Sequence, residues 1–91
     1  MALTKEKQRT LKAQAHSLKP VVLLGQKGLT PAVITEINAA LDAHELIKVK
    51  VAAEEREDRQ KMTQEIIEKT QADLVGSIGH IAILYRKNPK K

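Results

Sequence analysis

The amino-acid sequence predicts a single α/β domain in which helices pack against one mixed four-stranded sheet. Helix-type and strand-type apolar patterns follow one another in the order α-β-α-β-α-β-β. A chain of 91 residues is long enough for one domain with a modest core, and no internal repeat interrupts the order. We expect the domain to span residues 1–87, followed by a short basic tail over residues 88–91.

The first predicted helix runs from Thr4 to about Ser17 and is amphipathic, with Thr4 as its N-cap. At about 100° per residue, basic side chains share one face and leucines fall on the opposite face. The basic face holds Lys5, Arg9, Lys12 and His16, and the opposite face holds Leu3, Leu11 and Leu18. We expect the leucines to pack on the domain. A basic amphipathic helix also suits a membrane surface, but without bulky aromatic residues it would be a weak anchor.

A short apolar run and a glycine loop follow this helix. Pro20 ends the helix, because proline disfavours helical backbone in the residue before it. Val21–Leu24 is a continuous apolar run, which predicts a strand buried on both faces. The next residues are Gly25-Gln26-Lys27-Gly28, and they lead to a helix start with Thr30 as N-cap and Pro31 at the first helical position.

This glycine loop has the features of a phosphate site. Gly25 and Gly28 leave the backbone bare, and Lys27 stands between them. The helix start that follows offers free N–H groups and a partial positive charge. The GXXG loop of the KH module clamps nucleic-acid backbone in this manner. Alone, the G-x-x-G pattern is weak evidence, since many such loops are ordinary turns; the flanking strand, helix start and lysine give it weight.

The second helix and the second strand have clear periodic patterns. A helical stripe that ends at about His44 consists of Val33, Ile34, Ile37 and Leu41. Residues 46–51 then alternate between apolar and basic side chains, which predicts a half-exposed strand. Its apolar face holds Ile47, Val49 and Val51, and its open face holds Lys48 and Lys50.

A third helix and two further strands complete the predicted domain. The helix runs from Glu54 to about Gln71, and its apolar side is marked by Met62, Ile66 and Ile67. We interpret the charged run over residues 54–59 as a solvated helix start in which two arginines offset the acids. Leu74-Val75 and Ile81–Tyr85 are the remaining strands, with a hairpin near Gly79.

The basic charge is concentrated at the two ends of the chain. Residues 1–30 carry a formal net charge of +5, residues 31–85 carry −4 and residues 86–91 carry +4. If the ends meet in space, they form one strong patch for a polyanion. Tyr85 is the only aromatic residue, which argues against modules that stack bases on aromatic platforms. Binding to a nucleic acid would therefore depend mainly on backbone phosphates and shape.

Several kinds of chemistry are excluded or disfavoured. The chain has no cysteine, and His16, His44 and His80 lack the spacing of metal ligands, so we expect no metal and no cofactor. We expect His44 at a helix end and His80 at a turn or strand edge, both with structural roles. Neither a Walker motif nor G-x-G-x-x-G is present, and the two serines lie outside any nucleophile elbow. The sequence therefore predicts a protein that is not an enzyme.

The sequence also predicts a cytoplasmic protein. No apolar run approaches the ~18 residues that a membrane span needs. The first residues turn polar too soon for a signal peptide.

Three blocks of sequence resemble a known family. They are residues 15–22, Ala15-His16-Ser17-Leu18-Lys19-Pro20-Val21-Val22, then Leu24 to Thr30 around the G-x-x-G loop, and His44 to Val51. In this order they are similar to the CRM domain (chloroplast RNA splicing and ribosome maturation), and in particular to its single-domain bacterial form, the YhbY-like proteins. The resemblance implies a fold similar to the C-terminal domain of translation initiation factor 3. It also implies RNA binding and an association with precursors of the large ribosomal subunit.

The leading hypothesis is a non-catalytic RNA-binding protein of ribosome assembly, with ribosomal RNA as partner. The predicted RNA-binding residues are Gly25, Gln26, Lys27, Gly28, Thr30, Lys5, Arg9, Lys12, His16, Lys19, Lys48 and Lys50. The main alternative is a protein-interaction adaptor that uses the acidic third helix to face a basic ribosomal protein. A small enzyme with a phosphate ligand is disfavoured by the missing base and nucleophile. We expect no membrane partner and no small-molecule substrate, and a monomer is favoured.

Overall fold

A computed structural model describes residues 3–25 and 28–87 as three helices and four strands in the predicted order. The helices are α1 (Lys5–Ala15), α2 (Pro31–His44) and α3 (Arg56–Thr70). The strands are β1 (Val22–Leu24), β2 (Leu46–Val51), β3 (Asp73–Ile78) and β4 (Ile81–Tyr85). The predicted α/β class and element order are confirmed. Within the described ranges, no helix has the length and hydropathy of a membrane span.

The four strands form one mixed sheet in the order β1-β2-β4-β3. β1 and β2 are parallel and joined by α2, whereas β2 with β4 and β4 with β3 are antiparallel. The predicted hairpin joins β3 to β4, and Gly79 has φ +56° in its turn. β3 is longer than predicted, because Gly76, Ser77 and Ile78 continue the ladder beyond an irregularity after Leu74.

The sheet separates two apolar clusters. α2 and α3 cover one face, where Ile37, Leu41 and Ile66 pack against the apolar side of β2 and against Leu24. α1 covers the other face, where Leu11 and Ala15 pack with residues of β2, β3 and β4. The predicted stripe of α3 is confirmed in the first cluster, because Met62 and Ile67 pack against it with Ile66 inside. The stripe of α2 is confirmed at Val33, Ile37 and Leu41, whereas Ile34 is half-buried and outside the cluster. The sheet is thus covered on both faces, but by different numbers of helices.

The prediction that the first strand is buried on both faces is wrong. Val22 and Leu24 are buried, but Leu23 is 62% exposed and Val21 is 51% exposed. β1 is an edge strand, and α1 packs on β2, β3 and β4. Leu23 therefore projects from the sheet beyond the area that α1 covers. The sequence shows a continuous apolar run in either case, so it does not reveal where the first helix stops covering the sheet.

The helix starts follow the cap chemistry with one shift. Thr4 Oγ1 accepts a hydrogen bond from Lys7 N at 3.1 Å, so the predicted N-cap of α1 is confirmed. α3 begins at Arg56 instead of Glu54, with Glu55 as an N-cap that makes no side-chain hydrogen bond. Only Glu57 and Asp58 lie in the first turn of α3, where carboxylates interact favourably with the helix dipole.

Arg86 fastens the end of β4 to the two helices on the α2–α3 face. Its Nη1 donates to Asn38 Oδ1 and to Thr70 O, both at 2.7 Å. Its Nη2 donates to Asn38 O at 3.2 Å and to Asp42 Oδ1 at 2.8 Å. The side chain is only 23% exposed. Arg86 is therefore a structural residue, and its charge is already paired within the domain.

We expect Arg86→Ala to lower the free energy of unfolding by about 2–3 kcal/mol, because it leaves carbonyls of α2 and α3 without their charged donor. Lys87→Ala is the matched control, since Lys87 is the next residue and is exposed. We expect the control to change stability by less than about 0.5 kcal/mol. Urea denaturation measures both variants. Equal midpoints for the two would contradict the structural role of Arg86.

Candidate functional site

The glycine loop is a tight turn at the end of β1. Gly28 N donates to Gly25 O at 3.1 Å, which closes the turn. Gly28 has φ +78°, a left-handed conformation that side chains rarely adopt. Gln26 and Lys27 lie outside the described residues, so their predicted contact with a ligand stays a prediction.

The two glycines meet different requirements. A Cβ atom added at Gly28 would lie 4.0 Å from Met62 Cε, which is ordinary contact, so it is the backbone angle that calls for glycine there. A Cβ atom added at Gly25 would meet nothing within 4 Å, and Gly25 is exposed. Gly25 therefore leaves open space in front of the backbone, where another molecule can approach.

The helix start beside the loop is capped as predicted. Thr30 Oγ1 accepts a hydrogen bond from Val33 N at 3.2 Å, and Pro31 is the first helical residue. The first turn of α2, which lies wholly within the described residues, has no acidic side chain. No carboxylate of its own first turn therefore offsets the partial positive charge at this helix end, which favours an anion.

Two backbone hydrogen bonds align the loop with two other connections. Ala52 N donates to Leu24 O at 2.9 Å, and Val51 N donates to His80 O at 2.7 Å. The loop, the β2–α3 connection and the β3–β4 turn consequently lie side by side at one end of the sheet. We call this end the loop edge; it consists of residues 25 and 28–30, Ala52–Glu55 and Gly79–His80.

α1 presents its basic side to solvent. Lys5, Arg9, Lys12 and His16 are exposed, while Leu11 is buried and Leu3 packs against the same cluster. Leu18 lies beyond the end of α1 and is 37% exposed. The aliphatic part of Lys12 passes over Gly76, where an added Cβ would come within 2.5 Å of Lys12 Cε. Because Gly76 has no side chain, Lys12 can lie across β3 at this position.

The two lysines of β2 differ in their surroundings. Both lie on the α1 side of the sheet, because they alternate with the buried Ile47, Val49 and Val51. Lys50 is exposed. Lys48 is half-buried, and its Nζ donates to Leu18 O at 3.0 Å. The expectation that both lysines lie on an open face is therefore wrong for Lys48, because the segment after α1 passes close to it.

The structure places the predicted residues in two groups. Gly25, Gly28 and Thr30 belong to the loop edge. The other described residues belong to the α1 side of the sheet: Lys5, Arg9, Lys12, His16, Lys19, Lys48 and Lys50. Lys50 connects the groups, because its register partner Leu23 lies on the strand that leads into the loop. The structure does not show whether the basic tail joins them, since residues 88–91 lie outside the described residues.

The histidines lie where the sequence places them. His44 ends α2, His80 lies in the β3–β4 turn, and His16 is the exposed C-cap of α1. Over residues 3–25 and 28–87, no three side chains of histidine, aspartate or glutamate form a group that suits a metal ion.

One feature was missed by sequence reasoning. A cavity of about 650 Å³ lies between α3 and the β3–β4 hairpin, and Arg56, Arg59 and His80 line it. In the sequence the two arginines belong to a charged run that predicts a solvated helix start. Their spacing of three residues puts them on one side of a helix, which was the available signal.

Comparisons with known proteins agree with this architecture. A model of the CRS1/YhbY (CRM) domain family matches residues 3–86. A probable RNA-binding protein of Pseudomonas aeruginosa is 49% identical over 90 residues, which is 99% of this chain and 86% of that protein. An RNA-binding protein of Haemophilus influenzae is 54% identical over 83 residues, covering 91% of this chain and 83% of its own length.

A solved structure is also similar. The solution structure of a hypothetical protein from Staphylococcus aureus superposes with a TM-score of 0.84 and 32% sequence identity. The superposition covers 93% of this chain and 88% of that one. The likeness therefore extends over the whole arrangement of helices and strands.

We expect Gly28→Ala to lower the free energy of unfolding by about 1–2 kcal/mol, because alanine is strained at a positive φ. Gly25→Ala is the matched control, since its added methyl group meets nothing, and we expect a change within about 0.5 kcal/mol. Thermal and urea denaturation measure both. A Gly28→Ala protein as stable as the control would contradict the left-handed turn.

Proposed function

Because this chain belongs to the CRS1/YhbY (CRM) domain family, we propose that it is a non-catalytic RNA-binding protein that acts on ribosomal RNA. The observation that carries the proposal is the open glycine turn beside a helix start whose first turn has no acidic side chain. Two relatives of 49% and 54% identity are named as RNA-binding proteins. The family resemblance in the three sequence blocks supports the finer assignment to precursors of the large ribosomal subunit.

In this proposal the loop edge receives the RNA backbone. A phosphate approaches the bare backbone at Gly25 and the free N–H groups at the start of α2. Thr30 keeps the helix start in place through its bond to Val33 N. Gln26 and Lys27 stand between the two glycines in the sequence, and in this proposal Lys27 contributes a positive charge to the phosphate.

The α1 side supplies a second basic surface for the same polymer. Its exposed lysines, arginine and histidine lie on α1, exposed Lys19 follows α1 in the chain, and exposed Lys50 lies on β2 near the loop edge. Tyr85 is half-buried, with Lys7 Nζ 5.6 Å from its ring centroid, so it offers no open platform for a base. Recognition on this side therefore depends on phosphates and on RNA shape.

We further propose that residues 1–87 act as one monomeric RNA-binding domain in the cytoplasm, with residues 88–91 as a basic extension.

The adaptor hypothesis has less support. α3 exposes Glu57, Asp58, Glu65 and Glu68, but Lys61 and Lys69 are exposed on the same helix. A surface of mixed charge suits solvent better than a strongly basic partner.

We expect binding of a single-stranded ribosomal RNA fragment to weaken steeply with salt. About five phosphate contacts give a slope near −3.5 in a plot of log affinity against log salt concentration. Gly25→Asp should weaken binding about tenfold, which corresponds to about 1.4 kcal/mol, because it places a carboxylate where a phosphate approaches. Gly25→Asn is the matched control with the same shape and no charge. Fluorescence anisotropy measures all three proteins.

Two outcomes would contradict the proposal. A flat salt response of the unmodified protein would reject recognition of the RNA backbone. Equal affinities of the Gly25→Asp and Gly25→Asn proteins would reject the loop as a phosphate site.

A further inference from the structure

The cavity between α3 and the β3–β4 hairpin is lined by none of the residues that the sequence predicts to bind RNA. Its volume of about 650 Å³ falls within the range of small-ligand pockets. Leu74, which is 38% exposed, contributes accessible apolar surface to it, while Val51 and Ala82 are buried beneath the lining. Gln60, Gln64 and Ser77 add polar groups around this surface. The cavity thus combines an apolar wall with polar side chains, as ligand sites commonly do.

The charge of the cavity is entirely of one sign. Arg56, Arg59 and His80 line it, and no aspartate or glutamate is among its described lining residues. At about 100° per residue, Glu57 and Asp58 lie more than a quarter-turn from Arg56 around the helix axis. α3 therefore directs its first arginines towards the cavity and its first carboxylates elsewhere, so that the site favours an anion.

Arg59 is held in place at the mouth of the cavity. Its Nη1 donates to Ala53 O at 3.0 Å and to Glu54 O at 2.6 Å, and it lies 3.4 Å from His80 Nε2. These contacts fix the guanidinium by one nitrogen only. A guanidinium has five N–H donors, so Arg59 keeps further donors for a ligand.

Thr63 Oγ1 in the cavity lining donates to Arg59 O at 2.8 Å, whereas four other polar side chains of the lining have no recorded partner. Among the described residues, Arg56, Gln60, Gln64 and Ser77 take part in no side-chain hydrogen bond or ion pair. A charged donor, two amides and a hydroxyl thus surround the apolar wall with unused hydrogen-bonding capacity. Such groups suit a ligand that is apolar on its faces, polar at its edge and negatively charged at one end.

We propose that this cavity binds one unpaired nucleotide of the RNA strand that the loop edge holds. The phosphate lies on Arg56 and Arg59, the base packs against Leu74, and the glutamine amides contact its polar edge. This inference rests on the proposed function, because the nucleotide is part of the bound RNA. It adds base contact to an interface that otherwise reads only phosphates and shape.

The position of the cavity relative to the loop supports a shared strand. Leu24, Val51 and His80 lie on three neighbouring strands or their ends, linked by the hydrogen bonds of the loop edge. At about 4.8 Å between strands, the glycine loop and the His80 end of the cavity are separated by about 10 Å. Neighbouring nucleotides of one strand can therefore reach both.

The test compares three variants for binding of a short single-stranded oligouridylate by fluorescence anisotropy. Arg56→Gln removes a charge from the cavity, and Lys61→Gln removes the same charge from an exposed position of the same helix. Ser77→Tyr fills the cavity without changing charge, on an edge strand that tolerates tyrosine. Circular dichroism establishes that each variant is folded before its affinity is compared.

We expect Arg56→Gln and Ser77→Tyr each to weaken binding about tenfold, and Lys61→Gln to change it less than about twofold. Equal affinities of Arg56→Gln and Lys61→Gln, with unmodified protein that still binds RNA, would overturn the cavity assignment and leave the proposed function intact. Absence of any RNA affinity in the unmodified protein would overturn the proposed function itself. Uridine monophosphate that binds as tightly as the oligouridylate would overturn the assignment to a nucleotide within RNA.

Discussion

The alternation of side chains along β2 organises the whole domain. Ile47, Val49 and Val51 point to the face covered by α2 and α3, and Lys48 and Lys50 point to the face that carries α1. A shift of register by one residue would bury both lysines and expose the apolar residues, so the register is strongly specified. β2 also pairs on both sides, parallel to β1 and antiparallel to β4. Every other element is positioned, directly or through one neighbour, by this strand.

The candidate site is a consequence of this central pairing. The end of β2 lies beside β1 on one side and beside the β3–β4 turn on the other. Ala52 N donates to Leu24 O, and Val51 N donates to His80 O. The glycine loop and the turn therefore lie on backbone that the sheet holds in place. Because Leu24 and His80 are already held by these hydrogen bonds, less ordering is needed at these two residues when a ligand binds. Lys50 is exposed on the α1 side of β2, and it places a positive charge near the same edge.

Much of the fold could be predicted because the relevant signals are local. Thr4 and Thr30 begin helices through bonds to residues three positions further along, and the alternation of β2 is visible within six residues. The exposure of Leu23 could not be predicted, because it depends on which strands α1 covers. The role of Arg86 was missed for a similar reason, since its partners on α2 lie 44 and 48 residues away in sequence.

Some parts of the candidate site also have local sequence signals, whereas others depend on residues that are not neighbours in sequence. The turn at Gly25 and Gly28 and the cap of α2 follow from neighbouring residues, so the sequence located them. The cavity forms between α3 and the hairpin that follows it in the chain, and the packing of α3 on the sheet brings Arg56 and His80, which are not neighbours in sequence, to the same cavity. From the sequence alone, the charged run over residues 54–59 indicates a solvated surface. In the folded domain its arginines line the cavity, whereas its carboxylates do not.

Crosslinking of the protein to RNA in cells, with both the peptides and the RNA identified, tests the central claim most directly. We expect crosslinked peptides from the loop edge and from the basic side of α1, joined to ribosomal RNA of large-subunit precursors. Crosslinks confined to the outer face of α3, or RNA unrelated to the large subunit, would contradict the assignment.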